Sequence, residues 1–212
     1  RHSIGRLSDY VDGEGRYRDL FPDGRTLREG QLVGQARKLA DQLHTSVQTI
    51  LLGDDIERQT QSLITAGADR VYLGDAPELA FYHPEIYTDI IVSLADTHKP
   101  EIILLGSTAM GRELAPLVAG RLKTGLSAHC IDLVLDENRN LEQRIPAYGG
   151  LISIVCPERR PQMATVAKGV FITPEPDENR TGHPGIRTDA RRCVFTDRDR
   201  RGSRGSTPRA RS

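Results

Sequence analysis

The sequence has no Trp, only 5% aromatic residues and three Cys in 212 residues. A core without large rings must rest on Leu, Ile, Val and Ala. Cys130, Cys156 and Cys193 stand far apart with no CxxC pair, which argues against a disulfide framework and against a cysteine-held zinc or iron–sulfur site. Cys130 and Cys156 read as buried, reduced thiols that behave as small hydrophobes. No stretch approaches the run of about 18 apolar residues that a membrane span needs. Arg1 to Leu20 also lack the apolar centre of a signal peptide, so a cytoplasmic chain is expected. There is no GxSxG elbow and no HExxH helix, which leaves hydrolytic chemistry without a motif. His129 and Cys130 are neighbours on a predicted strand and should point to opposite faces. His44, His83 and His98 fall near predicted helix ends, where surface positions are expected, and no metal-ligand spacing emerges.

The charge balance is zero, with 29 basic and 29 acidic residues, but it is the sum of two unlike regions. Residues 1–177 carry 19 Lys and Arg against 25 Asp and Glu, whereas residues 178–212 carry ten Arg against four acids. The tail contains no Lys and only Phe195 for stacking, and it follows an acidic body, so no nucleic-acid partner is expected. Its large apolar side chains are Ile186, Val194 and Phe195, too few to offset the entropy of ordering; residues 174–212 read as a disordered Arg-rich tail. Residues 1–30 hold five Gly, six Arg and six Asp or Glu and read as an irregular segment.

From Gln31 to Thr173 a domain pattern takes over. Leu32, Ala36, Leu39, Ala40 and Leu43 recur at helical spacing, and the largely apolar run Val47 to Leu52 follows. The alternation continues with a helix near Asp55–Ala66, a strand at Arg70–Leu73, a helix at Pro84–His98, a strand at Glu101–Leu105 and a helix from about Thr108 to Leu122. Pro84 suits a first helical turn, and Pro100 closes the same helix. Strands alternating with helices imply parallel pairing through right-handed crossovers, and strands apolar on both faces imply helices on each side. Ser127–Leu135, Leu141–Ala147, Leu151–Val155 and Gln162–Val166 then read as a meander, the first two joined as a hairpin. The expected fold is α/β: a doubly wound, mostly parallel Rossmann-like sheet with helices on both faces and an antiparallel or mixed edge.

The most suggestive site is Gly106-Ser107-Thr108-Ala109-Met110-Gly111-Arg112, directly after a buried strand and at a helix start. Unpaired N–H groups there favour phosphate, glycines permit close approach, and Arg112 can pair with an anion. The competing reading is a Ser107 or Thr108 cap with Arg112 facing water. Gly125 reads as the left-handed residue that ends the same helix. Gly149 and Gly150, after Tyr148, either admit a partner backbone or form a plain turn. Arg160 and Gln162, around Pro161, form a basic turn that faces either a partner or solvent.

A series of short motifs runs in order along the domain: Gly34-Gln35-Ala36-Arg37-Lys38-Leu39-Ala40-Asp41, Leu51-Leu52-Gly53, Gly67-Ala68-Asp69-Arg70-Val71-Tyr72 and Lys99-Pro100-Glu101-Ile102. The most specific are Gly111-Arg112-Glu113-Leu114-Ala115-Pro116, Leu122-Lys123-Thr124-Gly125-Leu126 and the stretch from Cys156 through Arg160, Pro161 and Gln162 to Val166. With these, residues 31 to about 173 resemble the first domain of electron-transfer flavoprotein alpha subunits. The resemblance implies a scaffold domain that pairs with a beta subunit and carries electrons from dehydrogenases or other donors to an acceptor. It also implies an FAD held by a carboxy-terminal domain that this sequence does not show, so no flavin contact is carried onto these residues and no tight flavin binding by this chain alone is expected. A first apolar strand, usual in the family, is not evident in residues 1–30. Two alternatives accompany this reading: a stand-alone adenine-nucleotide-binding domain using Gly106 to Arg112, and an inactive frameshifted fragment suggested by the Arg- and Gly-rich ends.

Overall fold

The computed structural model describes residues 3–7 and 27–187. The order is β1 (Ser3–Leu7), α1 (Leu27–Leu43), β2 (Ser46–Gly53), α2 (Thr60–Thr65), β3 (Arg70–Asp75), α3 (Pro84–His98), β4 (Ile102–Gly106) and α4 (Ala109–Leu122). It continues with β5 (Leu126–Cys130), β6 (Asp132–Leu135), β7 (Leu141–Ala147), β8 (Gly150–Val155), β9 (Gln162–Val166) and β10 (His183–Arg187). Seven strands form one parallel sheet in the order β10-β3-β2-β1-β4-β9-β5, and β6-β7-β8 form a separate antiparallel sheet.

The parity of the strands explains the two cores. On β4, Ile102 and Leu104 face one side and Ile103 and Leu105 the other, because successive side chains alternate. The first side packs on α1 and α2 through Val33, Ala36, Leu39, Leu63 and Ile64. The second packs on α3 and α4 through Tyr87, Ile90, Ile91, Leu114 and Val118. A parallel sheet covered on both faces thus confirms the doubly wound expectation.

Helix ends follow local chemistry. Pro84 opens α3, and Lys99 closes it in the left-handed region. Thr108 caps α4 by accepting the Gly111 N–H at 3.0 Å. The left-handed residue after α4 is Lys123, at φ 55°, whose N–H reaches back to the Ala119 and Gly120 carbonyls. Gly125 therefore does not have the expected role; it lies beside Cys156, whose sulfur would stand 3.4 Å from a Cβ there.

Several other expectations change. Ser3–Leu7, inside the segment read as irregular, is the strand between β2 and β4, so a central parallel strand is present. It was missed because only Ile4 and Leu7 are apolar beside Gly5 and Arg6. The helix read at Asp55–Ala66 is a 3-10 turn, Glu57–Gln59, followed by the short α2. The strand read at Ser127–Leu135 divides between two sheets, at a bend where His129 takes φ 60°. The antiparallel strands build a second sheet rather than an edge of the first, with the β6–β7 hairpin as expected. β9, read as part of the meander, is instead a fully buried parallel strand between β4 and β5. Part of the tail is also ordered: His183–Arg187 pairs with β3. The rest of the expected tail, residues 188–212, lies outside the described residues, as do residues 8–26.

The segment between β9 and β10 crosses α1 to reach the far edge of the sheet. Thr173 and Pro174 lie against Gly30 and Gly34, one helical turn apart. Asp177 N–H donates to Thr65 O, and Arg180 Nη2 donates to Asp69 Oδ1 at 2.7 Å. A Cβ on Gly34 would stand 2.7 Å from the Pro174 Cδ and 2.9 Å from its Cγ. Alanine normally stabilises a helix interior by up to about 1 kcal/mol over glycine, but here a rigid ring blocks it. Gly34→Ala is expected to destabilise by about 1–3 kcal/mol in urea unfolding. Gly120→Ala on α4, with nothing within 4 Å of the new methyl, is expected to stabilise by about 0.5–1 kcal/mol. Equal effects at the two positions would refute the packing argument.

Candidate functional site

At the carboxyl ends of the parallel strands, Gly106 ends β4 and Ser107 and Thr108 lead into α4. Ser107 is buried; its N–H donates to Val166 O at 2.7 Å, and its hydroxyl lies 3.1 Å from the His129 Nδ1. His129 is exposed and held at the bend of β5, where its own N–H donates to Thr165 Oγ1 at 2.8 Å. Gly111 is buried inside the first turn of α4, and Arg112 is exposed beside it. The structure thus brings Gly106, Ser107, Thr108, Gly111 and Arg112 to one strand–helix corner and adds His129. Sequence spacing did not reveal the Ser107–His129 pair, because 22 residues separate them and the contact exists only once β5 is placed beside β9.

The other candidates sit elsewhere. Gln162 is buried at the start of β9; its Oε1 accepts the Leu141 N–H and its Nε2 donates to Cys156 O, each at 2.9 Å. It bridges the two sheets. Arg160 donates to Asn140 Oδ1 at 3.0 Å and to the Pro157 and Arg159 carbonyls at 3.1 Å, and its Nε lies 4.0 Å from Glu101. Tyr148 and Gly149, at φ 51° and 78°, form the turn between β7 and β8, whose two central positive φ values are what a tight hairpin requires. Gly150 closes that turn opposite Ala147.

That hairpin carries the largest group of exposed apolar side chains among the described residues. Tyr148 is fully exposed, and Leu151, Ile152 and Val155 are 61%, 40% and 38% exposed. The outer edge of β6 is met by α1, since Gln35 Nε2 donates to Leu133 O at 2.8 Å. The outer edge of β8 has no such cover among the described residues. Behind β8, Ser153 and Arg144 both donate to Glu142, and these bonds hold its carboxyl below the usual range.

His98, expected on the surface, is partly buried and stacks on Tyr72 with ring centres 4.8 Å apart; burial, then Arg70, lowers its pKa. No group of three metal-ligating side chains occurs among the described residues, and no helix among them is long and apolar enough to cross a membrane.

A parallel sheet wound on both faces with an appended antiparallel sheet defines a doubly wound, Rossmann-like α/β module. Residues 29–185 match the family model described as electron transfer flavoprotein domain, and the chain belongs to that family. It is 46% identical over 154 residues to electron transfer flavoprotein subunit alpha of Thermoanaerobacterium thermosaccharolyticum, covering 72% of this chain and 47% of that protein. It is 42% identical over 172 residues to the alpha subunit of Megasphaera elsdenii, covering 80% of this chain and 48% of that one. It is 41% identical over 147 residues to lactate dehydrogenase (NAD(+),ferredoxin) subunit LctC of Acetobacterium woodii, covering 68% of this chain and 35% of that protein. The chain therefore spans less than half the length of these relatives.

Cys130 is fully buried, and burial pushes its thiol up to about 11. The folded state thus holds the proton that the unfolded chain releases near pH 8.5. The resulting stability is complete below that pH and is lost as pH rises toward 11. Urea midpoints measured at pH 8 and pH 10.5 are expected to fall further for the parent than for Cys130→Ala. Equal declines would count against this linkage.

Proposed function

We propose that this chain is the amino-terminal scaffold of an electron-transfer flavoprotein alpha subunit, assembling with a beta subunit in a cytoplasmic carrier between dehydrogenases and an acceptor. On this reading it is an electron-carrier subunit without catalytic residues of its own. The observation that carries the proposal is the family match over residues 29–185, nearly the whole of the folded body from α1 to β10. FAD, when bound, supplies the redox chemistry, while the protein orients it and tunes its surroundings.

The residues described here do not fit a flavin. At the one nucleotide-type corner, Thr108 Oγ1 is occupied by the Gly111 N–H and the Ser107 hydroxyl is engaged with His129. On this reading the FAD is held by a carboxy-terminal domain, and this chain alone binds none tightly. What its own residues offer is a surface. Leu151, Ile152 and Val155 lie on an edge strand without Lys, Pro or any charge to discourage pairing. The Tyr148 to Val155 hairpin is where the beta subunit docks.

A second reading rests on the place of Gly106 to Arg112, where a parallel strand runs into the start of α4 and Arg112 is exposed: an adenine nucleotide held there by a chain that acts on its own. Titration of AMP against the purified chain and its Arg112→Ala variant separates the two, since the scaffold reading expects no saturation that this substitution removes. Co-expression with an electron-transfer flavoprotein beta subunit is expected to give a 1:1 complex by light scattering. Leu151→Lys with Val155→Lys is expected to weaken that complex at least about tenfold, while Leu117→Lys on α4 leaves it intact. A complex insensitive to the β8 changes would refute the docking surface, and no complex at all would refute the scaffold reading.

A further inference from the structure

At the end of the sheet opposite the Gly106–Arg112 corner, a cavity of about 820 Å³ opens beside the first residues of β2, β3 and β4. Its rim comes from unrelated parts of the chain: His44 and Thr45 after α1, Asp69 before β3, Glu101 before β4, Arg139 from the β6–β7 turn and Arg160 before β9. We propose that this cavity binds a small phosphorylated anion.

The argument starts with which charges are already spent. Asp69 accepts Arg37 Nη1 and the Val47 N–H on one oxygen and Arg180 on the other, each at 2.7 Å. Arg37 also holds Asp41 and the Thr45 carbonyl, so it forms wall rather than receptor. Arg160 lies 4.0 Å from Glu101 and uses its Nη groups on neighbouring oxygens. Arg139 differs. One N–H donates to Leu43 O at 2.7 Å, and the rest of its five-donor fork has no acceptor among the described residues. Arg37 and Arg180 are thus spent on Asp69 and Asp41, and Arg160 sits between Glu101 and Asp136, so the donor left uncommitted at the rim is the Arg139 cation.

Two further features favour an anion. The Thr45 hydroxyl oxygen is buried without a hydrogen-bond partner among the described residues, a cost removed when its side chain rotates to give the hydroxyl to a ligand oxygen in the cavity. The carboxyl end of α1 would ordinarily repel an anion through its bare carbonyls. Here Ala40 O, Asp41 O and Leu43 O already accept Thr45 N–H, His44 N–H and Arg139 respectively, which reduces that repulsion. Arginine forks bind phosphate oxygens in pairs, and Thr45 supplies the neighbouring donor. The volume lies within the range of about 300–1,000 Å³ typical of small-molecule pockets and exceeds what a bare phosphate fills. A phosphate ester is therefore the favoured form.

Calorimetry with the full chain, using pyrophosphate and ADP as separate probes, tests this. One saturable site is expected, weakened at least about tenfold by Arg139→Ala and by the near-isosteric Thr45→Val, with Arg139→Lys intermediate. Far-ultraviolet circular dichroism and thermal melting identify any variant that has unfolded, and Thr45→Val then carries the test. ADP binding more tightly than pyrophosphate supports an organic phosphate ester, and equal affinities support recognition of the phosphate groups alone. Absence of saturation at millimolar concentration in both probes overturns the proposal. So does binding lost in Arg112→Ala and kept in Arg139→Ala, which would put the ligand at the other end of the sheet.

Discussion

The fold depends on one crossing of the chain over its own first long helix. A parallel sheet needs cover on both faces, and its far edge can be completed by β10 only if the chain returns from β9 across the sheet. The small residues Gly30 and Gly34 let that segment lie close on α1. Asp69 then fastens it, joining α1 through Arg37, β2 through Val47 and the returning chain through Arg180. A carboxylate with three donors from three elements sets the register of everything around it, because moving any one leaves a partly buried charge less well paired.

The same arrangement leaves the two ends of the parallel sheet chemically unlike. At the carboxyl ends, the start of α4 is closed by Thr108 and the Ser107–His129 contact. At the amino ends, the turns that bring in Arg139 and Arg160 arch over a charged cavity. The small antiparallel sheet sends its β6–β7 turn to that cavity through Asn138 and Arg139 and also bears the exposed β8 edge. Gln162 makes this possible, since its buried amide links the start of β7 and the end of β8 to β9.

Some of this was legible in local patterns. The apolar runs of β2 and β4 and the helical spacing of α1 are strong signals because each element buries nearly all its apolar residues. The Gly106 to Arg112 turn was found from position alone, a strand running into a helix, yet whether its donors were free was not readable. Thr108 and Ser107 had alternative partners, and which partner is taken depends on residues distant in sequence. Gln162 illustrates the limit: a polar residue after proline reads as a surface turn, whereas in the fold both ends of its amide are satisfied internally.

The sequence by itself determined the α/β class, the helix boundaries set by Pro84 and Pro100, and the family to which the chain belongs, all of which follow from local periodicity and short ordered motifs. Only the tertiary structure decided that Ser3–Leu7 occupies the middle of the sheet, that Gln162–Val166 lies between β4 and β5, and that His183–Arg187 completes an edge. A short strand with few apolar residues carries little signal of its own. Backbone hydrogen bonds to neighbouring strands define it, and those neighbours are brought alongside only by the fold.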